Sequence, residues 1–151
     1  MTEVNIPEYL PDWIREHIKI YLQDGEPGHY WDAAHGGGEG MLTTLLLTTT
    51  GRKSGKSLLL PLIYRPTGDG GYCIIASKGG APAHPAWFLN LEADANVHVQ
   101  VANDKFDAVA RVAEGEERER LWGLMVDYYG PYTDYQAATD RQIPVVVLDP
   151  A

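Results

Sequence analysis

The sequence predicts a small antiparallel β-barrel with a few peripheral helices, a mainly β fold of the α+β class. Three observations predict it. Six short runs are rich in β-branched and apolar residues, tight turns join most of them, and no regular strand–helix alternation is present to build a doubly wound sheet. The 151 residues read as a single domain, with a helix and a glycine-rich loop over 1–40 and the barrel core over 41–151.

The chain opens on Pro7-Glu8-Tyr9-Leu10-Pro11. Leu10, Trp13, Ile14, His17, Ile18 and Tyr21 then recur at three- and four-residue spacing, with Asp12, Arg15, Glu16 and Lys19 between them. That spacing is a helix with one apolar face. Packing on the barrel is its plain meaning; rest on a membrane surface is the alternative, weakened by a polar face of mixed sign. Residues 25–40 read as loop. The run Gly36-Gly37-Gly38 fails the dinucleotide fingerprint, whose third glycine would have to stand at Met41.

Strands follow. Residues 43–50 and 57–64 flank the turn Gly51-Arg52-Lys53-Ser54-Gly55-Lys56, and a turn over 66–71 leads to a strand at 72–76. A loop over 77–82 precedes a short helix at 84–91. Residues 96–101 and 106–112 form a hairpin around Asn103-Asp104. An amphipathic helix spans 114–129, with Leu121, Trp122, Leu124 and Met125 among its apolar positions. A short polar helix at 133–139 and a buried strand at 143–148 close the chain.

A net charge of −9 excludes general nucleic-acid affinity. Residues 41–91 nevertheless carry Arg52, Lys53, Lys56, Arg65 and Lys78 against Asp69 alone, a net +4 that leaves −13 for the remainder. A cationic island in an acidic chain points to a small anionic ligand. No apolar run approaches the ~20 residues that cross a bilayer. Met1-Thr2-Glu3-Val4 lacks the start of a secretory signal, so a cytoplasmic location is expected. Cys73, the single cysteine, sits in an apolar run and reads as a small buried hydrophobe. Histidines 17, 29, 35, 84 and 98 show no metal-ligand spacing, and no serine occupies a hydrolase elbow. Glu114, Glu116, Glu117 and Glu119 read as a solvated first helical turn.

Three segments carry chemistry. The turn 51–57 is one residue short of a P-loop and runs into a strand, which argues against NTP hydrolysis. Its two glycines, the Ser54 hydroxyl and the charges of Arg52 and Lys53 still make an anion cradle, or else a solvated hairpin turn. The loop Ala76-Ser77-Lys78-Gly79-Gly80-Ala81 offers a hydroxyl, an ammonium and two free glycines just before a helix. On that helix Trp87 and Asn90 share a face, as a flat wall and an amide, or as core residue and cap. Four tyrosines crowd Tyr128-Tyr129-Gly130-Pro131-Tyr132-Thr133-Asp134-Tyr135, each with an apolar face and a hydroxyl suited to a planar ligand; Tyr128 is the first expected in the core.

In combination these segments resemble the deazaflavin-dependent nitroreductase family of actinobacteria. The matching stretches are Leu46-Leu47-Thr48-Thr49-Thr50-Gly51-Arg52-Lys53-Ser54-Gly55, then Ala76-Ser77-Lys78-Gly79-Gly80 with Pro85-Ala86-Trp87-Phe88-Leu89-Asn90-Leu91, then Tyr129-Gly130-Pro131-Tyr132-Thr133-Asp134-Tyr135-Gln136 and Thr139-Asp140-Arg141-Gln142-Ile143-Pro144. The resemblance spans about 42–150.

It implies a split β-barrel like that of the FMN-binding flavin reductases, holding reduced coenzyme F420. Arg52, Lys53 and Ser54 would hold the cofactor's phosphate side chain, with Leu58, Leu59, Leu60, Pro61, Leu62 and Ile63 alongside. Ile75, Ala76, Ser77 and Lys78 would surround the ring together with Ala86, Trp87, Phe88, Leu89 and Asn90. Tyr129, Tyr132 and Tyr135 would meet the substrate, with Tyr132 and Ser77 as the catalytic pair hydrogen-bonded to it.

The expected reaction is hydride transfer to a small hydrophobic acceptor, without a metal. The strongly apolar strand at 57–64 favours quinones and conjugated enones or lactones over nitro compounds. Rival readings are an FMN- or FAD-dependent reductase on the same barrel, and a non-enzymatic carrier of a phosphorylated heterocycle. A monomer or weak homodimer is expected, with the N-terminal helix the one candidate for peripheral contact with the inner face of the cell membrane.

Overall fold

The structure, a computed structural model, describes residues 4–6, 10–36 and 38–151. Residues 1–3 and 7–9 of the N-terminal readings, and Gly37 of the glycine run, lie outside them. Among the described residues are nine strands. They are β1 (Val4–Asn5), β2 (Tyr30–Asp32), β3 (Met41–Thr50), β4 (Ser57–Ile63), β5 (Arg65–Pro66), β6 (Tyr72–Ile75), β7 (Asn96–Val101), β8 (Asp104–Val112) and β9 (Val145–Pro150). Helices are α1 (Asp12–Gln23), α2 (Gly25–Gly28), α3 (Ala86–Ala93), α4 (Gly115–Tyr128) and α5 (Pro131–Ala137).

The sheet runs β1-β4-β3-β7-β8-β9-β6-β5, with β2 added to β3. Every ladder is antiparallel except the short parallel pairing of β1 with β4. The six strands read from the sequence are the long ones; β1, β2 and β5 are additions of two or three residues. The sheet curls until β4 and β6 face each other, yet no ladder joins them among the described residues. The barrel is therefore split. Pro61 fits this: its missing N–H is tolerated where one side of a strand has no partner.

Three packed clusters explain the apolar pattern. Leu45, Leu47, Ile74, Val97, Val99, Val146 and Leu148 fill the barrel. Outside it, Val145 and Val147 pack against Leu121 and Met125 of α4 and against Tyr129 and Tyr132. So β9 is buried on both faces, which is why it reads as an unbroken apolar run. Ile18 and Tyr21 of α1 pack on Leu46 and Leu59.

The stretch 25–40 departs from the loop reading, since it forms α2, β2 and a 3-10 turn at Ala33–Gly36. Gly25 and Gly28 serve close approach, whereas Gly40 takes a left-handed φ of +81°. A Cβ on Gly25 would lie 1.8 Å from the Ala102 carbonyl oxygen, and one on Gly28 would lie 2.5 Å from the Tyr21 Cα. No helix among the described residues is long and apolar enough to cross a membrane.

Candidate functional site

A cavity of about 550 Å³ occupies the split. Leu58, Leu59, Leu60, Pro61, Leu62 and Ile63 of β4 form one wall. Ile75 at the end of β6, then Ser77, Lys78 and Gly79, form the facing edge, and α3 contributes Ala86, Trp87 and Asn90. Tyr129, Tyr132 and Tyr135 close one side, and Leu10, Trp13, Ile14 and His17 of α1 roof it together with Trp31. Three of the residues expected around the ring do not face it. Ala76 is buried in the barrel core just after β6, and Phe88 and Leu89 pack there because on a 3.6-residue helix 86, 87 and 90 share a face that excludes 88 and 89.

The turn after β3 is held by its own backbone: Gly51 N–H donates to the Lys56 carbonyl at 2.8 Å, Gly55 N–H to the Gly51 carbonyl at 2.8 Å, and Lys56 N–H to Ser54 Oγ at 3.1 Å. Gly55 takes a φ of +73°, which favours glycine. Arg52, Lys53, Ser54 and Lys56 stand exposed beyond the cavity wall rather than lining it. What joins them to the cavity is Asn90, which is only 1% exposed. Its Oδ1 accepts from the Arg52 amide at 3.2 Å and from Arg52 Nη1 at 2.9 Å, while Nδ2 donates to Thr49 Oγ1 at 3.2 Å. Asn90 is thus neither the α3 cap, a place taken by Asp94, nor a wholly free amide. It fastens the cationic turn to the cavity's helix.

On the opposite side the tyrosines pack ring against ring. The Tyr129 and Tyr132 centroids lie 4.9 Å apart, those of Tyr132 and Tyr135 lie 6.1 Å apart, and the Tyr129 and Tyr135 hydroxyls meet at 3.1 Å. Burial, reinforced by the neighbouring phenols, raises the pKa of Tyr129 and Tyr132 well above the ordinary phenol value. Both therefore present neutral hydroxyls. Tyr128, the tyrosine first expected in the core, is only half-buried, whereas Tyr129 and Tyr132 are buried; its hydroxyl accepts from the Thr43 amide at 2.8 Å and Arg65 lies over its ring at 4.5 Å.

Several lining residues escaped the sequence reading. Trp31 sits on three-residue β2, too short for any periodicity, yet its ring approaches Tyr129 at 6.0 Å and stacks with Trp13 at 6.1 Å. His17 was visible only as part of the α1 stripe. Its Nε2 lies 2.7 Å from the Gly28 carbonyl, so Nε2 carries the proton and Nδ1 is the acceptor; burial lowers its pKa and keeps the ring neutral. Thr49 had no signal beyond its strand.

The donor set suits a planar heterocycle with an anionic arm. Flat apolar walls at β4 and Trp87 match a ring, and exposed cations beside the Asn90 edge match phosphate and carboxylate groups.

Comparison with known proteins agrees. The profile of the F420H(2)-dependent quinone reductase family matches residues 13–150. An F420H(2)-dependent quinone reductase of Mycobacterium tuberculosis is 34% identical over 147 residues, covering 90% of this chain and 95% of the relative. A solved F420-H2 dependent reductase is 46% identical over 70% of this chain and 93% of its own, with a TM-score of 0.64. The heme storage protein HutZ from Vibrio cholerae, at 18% identity and a TM-score of 0.54 over 91% of this chain and 90% of its own, shares the fold alone.

Proposed function

The chain belongs to the F420H(2)-dependent quinone reductase family, and on that premise we propose how its cavity carries out the reduction. It is an F420-dependent oxidoreductase acting on a quinone-type acceptor. When bound, reduced F420 supplies a hydride, a two-electron donation that needs no metal.

Arg52 and Lys53 hold the anionic arm of the cofactor, Arg52 through a guanidinium already oriented by Asn90 and Lys53 as a mobile charge. The β4 residues and Trp87 provide the apolar walls for its ring. The acceptor lies toward Ser77 and the tyrosines, under the α1 roof. There Ser77 and Tyr132 donate hydrogen bonds to the acceptor oxygen on which negative charge develops, and one of them, or water, delivers the proton. A neutral Tyr132 hydroxyl is the right species for that donation. Hydroxyl placement of this kind contributes roughly 10²–10⁴-fold in rate.

The observation that carries the reading is the junction at Asn90, which makes an exposed cationic turn and an apolar cavity into one continuous surface. The cavity face of α1 favours a role in acceptor binding over one as a membrane anchor. Incubation with reduced F420 and a panel of quinones, enones and nitro compounds, with FMN titrated in parallel, tests the whole. Quinone-dependent oxidation of F420 is expected. Tight FMN binding without any F420 turnover would overturn it.

A further inference from the structure

We infer that Arg141, on the segment between α5 and β9, is a positioning residue for the reduction, holding the Ser77–Ala81 loop in the shape that presents Ser77 to the acceptor. The inference rests on the proposed role of Ser77. Arg141 itself does not line the cavity. It stands behind the loop, and its guanidinium donates from Nη2 to the Ser77 carbonyl at 2.6 Å, from Nη1 to the Ala76 carbonyl at 3.2 Å and from Nε to the Ala81 carbonyl at 2.8 Å. Nη1 also reaches His84 Nδ1 at 3.0 Å, which makes that nitrogen the acceptor. Three carbonyls spanning both ends of the loop thus converge on one planar fork.

The loop requires such an anchor. Lys78, Gly79 and Gly80 have φ values of +48°, +62° and +83°, three consecutive residues in the left-handed region. Lys78 has no glycine's freedom there, and a non-glycine residue keeps that conformation only where its surroundings impose it. Gly80 is seated on α5: a Cβ there would stand 2.7 Å from the Tyr135 carbonyl oxygen.

Arg141 is itself braced from α5. Gln136 Nε2 donates to the Arg141 carbonyl at 2.8 Å, and Gln136 Oε1 accepts from the Ile143 amide at 2.9 Å. No carboxylate pairs with Arg141 among the described residues. Its donors are spent on three backbone carbonyls and the His84 ring, and only a guanidinium presents them in one plane. Helix α5, which carries Tyr132 and Tyr135, and the loop that carries Ser77 are therefore fastened twice, by the close packing of Gly80 on α5 and by the Arg141 fork that Gln136 braces.

The test compares Arg141→Lys, Arg141→Ala and each combined with Ser77→Ala. Two readouts are used: quinone-dependent turnover of reduced F420, and site-resolved trypsin cleavage of the Lys78–Gly79 bond. Arg141→Lys should speed cleavage at Lys78 about tenfold or more while cleavage after Lys56 stays unchanged. It should also lower kcat by up to ~100-fold, the scale of a displaced catalytic group, with little change in the KM for F420.

In the Ser77→Ala background the same substitution should cost much less, because the group it positions is already gone. Added guanidinium should restore part of the kcat of Arg141→Ala. Cleavage at Lys78 that does not change in Arg141→Lys overturns the inference whatever happens to turnover. Faster cleavage with wild-type turnover also overturns it, since Arg141 then anchors the loop without serving the reduction, while the kcat of Ser77→Ala alone decides separately whether Ser77 takes part. Equal losses of kcat with and without Ser77 overturn the positioning of Ser77 by Arg141.

Discussion

Arg52 donates both its backbone amide and its guanidinium to one acceptor, the side-chain oxygen of buried Asn90, at 3.2 and 2.9 Å. The turn after β3 and the helix α3, distant in sequence, are thereby fixed relative to each other, and the cation reaches the cavity edge already aimed. Asn90→Ala should strand the Arg52 amide and free the guanidinium. An unmade hydrogen bond at a buried polar group costs about 1–3 kcal/mol. Urea unfolding should show a loss of that size, together with weaker F420 binding. A variant of wild-type stability would mean that the junction contributes nothing.

Removing the charge instead of its support separates electrostatics from architecture. Arg52→Ala with Lys53→Ala should weaken F420 binding by roughly 10–100-fold at low salt, since charge-assisted hydrogen bonds to the anionic arm are lost. The deficit should narrow as salt is added, because exposed charges are screened. Parallel salt dependences for the two proteins would place the anionic arm elsewhere.

Tyr132→Phe and Ser77→Ala should each lower kcat by about 100-fold or more, with the stability of Tyr132→Phe little changed because its ring remains. Burial holds the Tyr132 pKa above its ordinary range. The wild-type kcat profile should therefore show no loss from phenol ionisation near pH 10, the unperturbed phenol value of roughly 10. Unchanged turnover in both variants would remove these residues from the reaction.

His17 gives a dependence of stability on pH. Its folded-state pKa lies below the ordinary imidazole value of 6.5 because burial disfavours the imidazolium. The unfolded chain then binds a proton more readily, so stability is full above the unfolded value and declines as pH falls through it toward the folded pKa. His17→Gln should reduce that slope by one proton's worth, about 1.4 kcal/mol per pH unit at most. His29, whose pKa is also lowered by burial, should leave part of the slope in place. Chemical denaturation between pH 5 and 7 measures it, and identical slopes would refute the assignment.

Trp13 is 45% exposed and stacks with Trp31 at the α1 side of the cavity. Trp13→Ala should raise the KM for bulky quinones several-fold while leaving the affinity for F420 and the unfolding midpoint near wild type. The reverse pattern would put the helix on the cofactor side.

Much of this was legible in the sequence wherever the signal was local. The six long strands follow from β-branched runs and turn residues, and the Gly51–Lys56 turn announces itself by crowding cations between glycines. The tyrosine cluster is visible as density. What stayed hidden needed the third dimension. Phe88 and Leu89 fall together with Trp87 and Asn90 in the sequence because a contiguous stretch does not say which helix face meets the cavity. Leu10, Trp13 and Ile14 look like packing residues in the sequence because a cavity wall and a core face have the same periodicity. Arg141 touches carbonyls some sixty residues away, and no local pattern foretells such a contact.

The roof helix α1 rests on its own small cluster, Ile18 and Tyr21 against Leu46 and Leu59, apart from the larger packing inside and behind the sheet. On the proposed placement, a change at Trp13, which stacks on Trp31, would reshape the space offered to the oxidant, whereas Leu10 and Ile14 bear on Leu59 and so on the wall beside the electron donor. A single exposed ring on the roof would then be enough to retune the choice of acceptor, with the barrel behind it left unaltered.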